Sequence, residues 1–331
     1  MNDNQPPANW ADRAVALGAG LATAMIFAAS TRGTGMAMVL AYFAPLPLMI
    51  GALGFSAIAA LAGTLLGALL LSHLSEPAFG AAFFLAFGAP ALIAGALAGR
   101  PFAPKSGETT PRPHFLQPGA LLAILLALSV AITWVGVAIL ARHYHGFDAT
   151  LTALLERFKE PLDEVVKSLQ QMSPKLEGDT IKRLMLLSAP AAVAASQTLL
   201  LAINLWLAAR AVDISGRLGR PWPALPENLI LPRVVAAAFV VAAGLSFKGG
   251  LVGALAGALA AASGLCLAMQ GLATLHALSR DARFRSAILS ALYAVVFVLE
   301  PWSILVLALF GLVESVFTLR ARRARRLSPK I

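Results

Sequence analysis

Ten stretches of this chain are apolar over a length that approaches a membrane crossing, for which the roughly 30 Å hydrocarbon layer demands about 20 residues of helix. They run near residues 14 to 31, 34 to 52, 55 to 72, 78 to 99, 118 to 141, 184 to 209, 230 to 247, 250 to 276, 286 to 299 and 302 to 319. Composition agrees: 59% of the 331 residues are apolar and 13% charged, against about 45–50% and 25% in a soluble domain. A soluble fold of this length could not hide that surface. The expected fold is an all-α, polytopic transmembrane helix bundle of about 8 to 10 spans, a single integral membrane domain over 1–331 in a bacterial inner membrane.

The net charge of +10 does not point to nucleic acid, because apolar runs separate the basic residues and leave no contiguous domain to grip phosphates. Basic loops at a membrane surface account for it. The single cysteine, Cys266, supports neither a disulfide framework nor a thiolate metal site within one chain. Ala28-Ala29-Ser30 imitates a signal-peptidase site, but the preceding polar stretch sets Asp3 and Asp12 against Arg13 alone, whereas a secretory leader opens basic. Cleavage is not expected.

Orientation follows from where lysine and arginine fall. With the N-terminus inside, 17 of the 26 lie inside, and seven of the other nine belong to the long loop from Arg142 to Arg183. Only Arg32 and Lys248 then sit in or beside short external loops. This positive-inside asymmetry puts both termini, and the basic 320–331 tail, in the cytoplasm. Pro45 and Pro47 interrupt the second run; if that region is re-entrant, the count falls to nine and the N-terminus moves outside.

The 143–183 external loop carries Leu151, Leu154, Leu155, Phe158, Leu162, Val165, Val166, Leu169 and Met172, the spacing of one apolar helical face. Pro161 should kink it or begin a second helix. The stripe either rests on the bilayer interface or covers an external cavity as a lid.

Small residues four apart let helices approach in lipid, where no hydrophobic drive brings them together. Such rows are Ala14-Gly18-Ala22 and Ala16-Gly20-Ala24 in the first run, Ala59-Gly63-Gly67, Ala91-Gly95-Gly99 and Gly249-Gly253-Gly257-Ala261. Most are expected to pack within the chain, while the first run could meet another subunit.

Polar groups inside apolar runs are costly and therefore candidate sites. Gln197 and Asn204 share a helical face, as functional groups or as interhelical hydrogen-bond partners. Glu314, one and a half helical turns before Arg320, reads as an ion pair or a water-reaching carboxylate rather than a proton relay. His143 and His145 lack a third convergent ligand; Gln270 and His276 read as packing or helix-end groups. Trp10, Trp222 and Trp302 lie next to span ends, as interfacial anchors do, and Trp134 and Trp206 lie deeper. No H-E-x-x-H, G-x-S-x-G, Walker A loop or intramembrane aspartate pair occurs, so neither an enzyme nor a cofactor or metal site is expected.

Two stretches carry a resemblance. NLWLAARAV from Asn204, followed by RLGRPWPALPENLILPR with Pro221, Pro223, Pro226 and Pro232, and GLVESVFTLRARR with Gly311, Glu314, Phe317 and Arg320, resemble the YybS-like family of uncharacterised bacterial membrane proteins. Glu314 stands where that family more often has Asp. The resemblance implies kinship in fold with the S components of energy-coupling-factor transporters and with membrane subunits of cell-shape machinery. It thus implies binding or transport of a small solute, with no ATPase of the chain's own, and a membrane coupling subunit docked on the first helix. A scaffold that holds partner proteins at the membrane is the alternative. The solute site is expected in the external half, beneath the amphipathic loop, lined by Gln197, Trp134 and Trp302.

Overall fold

The computed structural model describes residues 9–30, 35–102, 114–173 and 177–327. Arg32, most of the 100 to 116 linker and residues 328–331 of the tail lie outside them. The described residues are overwhelmingly helical: α1 (Trp10–Ser30), α2 (Gly35–Phe43), α3 (Pro45–Gly54), α4 (Ala57–Leu74), α5 (Pro77–Phe83), α6 (Ala89–Gly99), α7 (Pro118–His143), α8 (Phe147–Arg157) and α9 (Lys159–Met172) come first. There follow α10 (Gly178–Ile214), α11 (Leu225–Asn228), α12 (Arg233–Ser246), α13 (Gly250–Leu278), α14 (Arg285–Val298), α15 (Trp302–Phe317) and α16 (Leu319–Leu327). Each apolar run of the sequence is helical in the structure, and six helical stretches are long and apolar enough to cross a membrane.

The chain forms two compact units, residues Met1–Leu125 with Thr198–Ile230, and Leu126–Gln197 with Leu231–Ile331. Both α7 and α10 contribute to each.

In the first unit α1 lies against α4 with backbone touching backbone. A Cβ on Gly20 would collide with the main chain of Gly63 and Thr64, and one on Gly63 with the Leu17 carbonyl. Gly67 meets the Ala24 methyl further along, so α1 and α4 run parallel. Residues 35–54 therefore travel back between them, bringing Gly51 against Ala16 and Ala19 near the start of α1. Pro45 breaks this return, since it has no N–H to donate; Pro47 lies in the first turn of α3, where none is needed. Asn204 is fully buried beside the break, its Nδ2 donating to the Tyr42 carbonyl at 2.7 Å and to Leu200 at 2.8 Å. A π-turn at Phe84–Gly88 joins α5 to α6, ending just before Pro90, which cannot donate to Ala86. Leu48, Met49, Ala94, Leu125, Leu201 and Ala208 close the core.

In the second unit α13 is the centre. Gly271 and Gly311 cross where a Cβ on either would strike a carbonyl of the facing helix, Leu307 or Leu267. Gln270, fully buried, accepts from Leu231 N–H at 2.6 Å and donates to the Gly311 carbonyl at 2.9 Å and to Ser315 Oγ at 2.8 Å. It ties the entry to α12 onto α13 and α15. The Gly249-Gly253-Gly257-Ala261 row is a tight seam only at Gly253, where a Cβ would come to 3.0 Å from the Ser246 carbonyl; a Cβ on Gly257 would reach only Ala191, at 3.9 Å. Burial follows the neighbouring face, through Ala254, Ala258, Ala262, Cys266, Gln270 and Thr274. An unbranched spacing of four marks several faces of so alanine-rich a helix.

The 143–183 loop is two helices that break at Phe158, with Pro161 in the first turn of α9. Its stripe is divided: Leu151, Leu162 and Val166 are buried, while Phe158, Val165 and Met172 are exposed.

Two substitutions test this packing. Gly311→Val should destabilise the detergent-purified chain by about 1–3 kcal/mol, whereas Gly18→Val, with nothing within 4 Å of where its Cβ would stand, should leave the melting temperature unchanged; equal losses would contradict the seam. Asn204→Leu strands a buried carbonyl, a loss of about 1–3 kcal/mol, and should lower the yield of monodisperse protein more than Glu300→Gln at an exposed turn.

Candidate functional site

Within the second unit, α7, α8 and α10 line a half-open cavity of about 340 Å³. Helix α8 covers it because its apolar stripe has nowhere else to bury: Leu151 and Leu154 point into the space, facing Val137 and Leu140 of α7 and Leu186, Pro190 and Val193 of α10. Pro190 lies inside α10 and cannot donate to the Leu186 carbonyl. The lining is apolar except for Thr133 and Thr150, and their hydroxyls are already committed, Thr133 donating to Ser129 at 2.8 Å and Thr150 to Gly146 at 2.7 Å. The pocket is half open, and its apolar walls offer water no partners; a closed cavity of about 150 Å³ with similar walls is already large enough for benzene.

The cover is fastened beside the cavity. Lys182 near the start of α10 pairs with Asp163 of α9 at 2.6 Å, and the Lys182 hydrogen bond holds the Asp163 carboxyl below its ordinary range. Gly178 approaches Val166 at the same junction, where a Cβ would come to 3.2 Å. Leu151 and Leu154 of the loop thus belong to the cavity wall, while Leu155, Leu162 and Leu169 do not.

The structure does not gather Gln197, Trp134 and Trp302 around one space. Trp134 Nε1 donates to the Leu255 carbonyl at 2.9 Å, joining α7 to α13. Gln197 is half-buried on α10. Trp302 is 70% exposed and lines a separate cavity of about 270 Å³ with Leu292, Val296, Leu299 and Phe310, which neither of the others reaches.

The closing motif forms one junction. Glu314 is buried; its Oε1 accepts from Arg320 Nε at 2.9 Å and its Oε2 from the Leu319 N–H at 2.7 Å. The helix does not run on to Arg320: it ends at Phe317, with Thr318 in the left-handed region at φ 49°. The ion pair therefore bridges a turn. Phe317 carries the Arg322 guanidinium 5.7 Å above its ring, and Arg323 reaches back to Asp281 at 3.0 Å.

Pro221 and Pro223 hold the connector extended on either side of Trp222, Pro226 lies in the first turn of α11, and Pro232 precedes α12. Trp222 is half-buried against the first unit's core, a packing role beyond interfacial anchoring. His276 Nε2 lies 2.8 Å from the Tyr293 hydroxyl. Among the described residues no three His, Cys, Asp or Glu side chains gather as metal ligands.

No curated protein and no solved structure matches the chain. Residues 21–315 match the family described as "Predicted membrane protein (DUF2232)", and over this span, most of its length, the chain belongs to that membrane-protein family.

Proposed function

We propose that this protein is a solute-binding or transport subunit of the bacterial inner membrane, S-component-like and YybS-like, that binds a small molecule with an apolar body in the cavity beneath α8. It is a non-enzymatic subunit with no ATPase of its own. The observation that carries this reading is the cavity itself, whose nearly all-apolar walls suit an apolar body and leave a strongly polar solute without partners. On this reading the amphipathic loop above the cavity acts as a lid, and the site lies in the external half.

We take the chain as one integral membrane domain of about 8 to 10 crossings with both termini cytoplasmic. In support, Asp12 pairs with Arg217 at 2.7 Å in the first unit and Asp281 with Arg323 at 3.0 Å in the second, each pair joining segments assigned to the same side. The coupling subunit would dock on α1. Of its two small-residue rows, Ala16-Gly20-Ala24 is consumed against α3 and α4, while Ala14 and Gly18 face outward.

That outward row, with the basic helix α16, also suits a scaffold that holds partner proteins at the membrane. Ligand-dependent stability separates the two, since a ligand that binds only the folded state raises its stability by about 2.7 kcal/mol at a hundredfold excess over Kd. A thermal-shift panel of vitamins, their precursors and amphiphiles with short alkyl or prenyl chains should give a saturable rise for a compound with an apolar body. Gly136→Phe, whose side chain would enter the cavity without meeting backbone, should abolish it. A folded protein that responds to nothing, yet co-purifies with other membrane subunits, would be a scaffold instead. The orientation has its own test: a cysteine placed between residues 149 and 173 should react with an impermeant maleimide in intact spheroplasts, and one placed after Arg326 should not. The reverse pattern would overturn it.

A further inference from the structure

The connector between α10 and α11 contains an arginine whose environment is unusual. Arg220 is only 8% exposed. Its guanidinium carbon lies 5.0 Å from the centre of the Phe115 ring and 5.4 Å from that of Trp222, so aromatic faces flank it. One Nη1 hydrogen bond, 3.0 Å to the Leu116 carbonyl, accounts for part of its donor capacity. The Nε and Nη2 atoms are buried without a hydrogen-bond partner among the described residues, and so is the Nε1 of Trp222.

An arginine cannot relieve this by shedding its proton. A buried lysine would become neutral; a buried guanidinium stays cationic and needs an anion. Burial pulls the Arg220 pKa below its ordinary value, and no carboxylate opposes that shift. The neighbouring arginine of the connector, Arg217, has its own carboxylate in Asp12. What remains open at Arg220 is its Nε/Nη2 edge, the side that receives two oxygens of one oxyanion in parallel. The open indole N–H adds a further donor. These open groups all donate and none accepts, so the site selects a ligand that only accepts. Oxygens arranged in a tetrahedron can meet the guanidinium plane and an out-of-plane indole together, which a planar carboxylate does less well.

We propose that Arg220 and Trp222 form an oxyanion site that takes a phosphoryl group, with the guanidinium held against the rings of Phe115 and Trp222. The site belongs to the first unit and is independent of the apolar cavity, so the two stand or fall separately. With the orientation proposed above it lies toward the cytoplasmic side, where both free phosphate compounds and anionic lipid headgroups present this chemistry.

The test uses the full chain in two arms. In detergent, the unfolding midpoint is followed against sodium phosphate, with sodium chloride at matched ionic strength as the control. In nanodiscs, phosphatidylcholine alone is compared with phosphatidylcholine containing phosphatidylglycerol. A saturable rise in the phosphate arm identifies a free phosphoryl ligand; a rise confined to the phosphatidylglycerol arm identifies a lipid headgroup. In the responding arm Arg220→Lys, which keeps the charge but loses the two-pronged edge, should weaken half-saturation at least tenfold. Trp222→Phe, which keeps an aromatic face and removes only the N–H, should weaken it several-fold. No rise in either arm overturns the proposal, as does a response that Arg220→Lys leaves unchanged. Should Arg220→Lys fail to accumulate, Trp222→Phe decides, and an unchanged half-saturation for that variant overturns the proposal.

Discussion

Backbone touching backbone is the contact on which both units depend. Lipid tails are as apolar as leucine, so helices gain little from hiding leucine from them, and what holds them is close dispersion contact. Gly20 with Gly63 in one unit, and Gly271 with Gly311 in the other, bring main chains to a separation that no side chain permits. Once these crossings are fixed, the directions of α1, α4, α13 and α15 are fixed too. The cores can then be built largely from alanine, as Ala91, Ala94 and Ala98 in the first and Ala254, Ala258 and Ala262 in the second.

Polar side chains have a complementary duty where helices break. A proline or a chain turn inside an apolar slab leaves carbonyls or N–H groups without partners, and each is expensive there. Asn204 serves the α2/α3 break, Gln270 the N–H of Leu231 ahead of α12, and Glu314 the turn after α15. These residues answer local backbone defects, which accounts for their burial.

Much of this was legible in the sequence because it follows from hydropathy and spacing: the helical runs, the amphipathic loop with Pro161 opening its second helix, the burial of Asn204 and the pairing of Glu314 with Arg320. The tight α1–α4 seam lay in rows that could be read directly. Less visible was which row of a glycine- and alanine-rich helix would be used, since in α13 the long Gly249 row yields to a neighbouring face that includes Gln270 and Gly271. The cavity under α8 was not legible by residue. Tryptophan and glutamine stand out in the sequence as the rare polar-tipped groups, yet the cavity under α8 is walled by ordinary leucine, valine and proline, which no local pattern separates from lipid-facing ones. Arg220 was hidden for a similar reason, because a charge in a connector reads as solvated until its neighbours are known.

The junction at Thr318 has a consequence for how the tail meets a charged surface. A β-branched residue at positive φ is unfavourable in itself, and it is held there while both oxygens of Glu314 are engaged. For α16 to swing freely, these two hydrogen bonds would have to be given up together. Arg322 and Arg325 are therefore presented as an ordered pair on a fixed helix and not as independent ions on a loose chain. Multivalent attraction to an anionic surface then loses little conformational entropy on contact, since the ordering has already been done in folding.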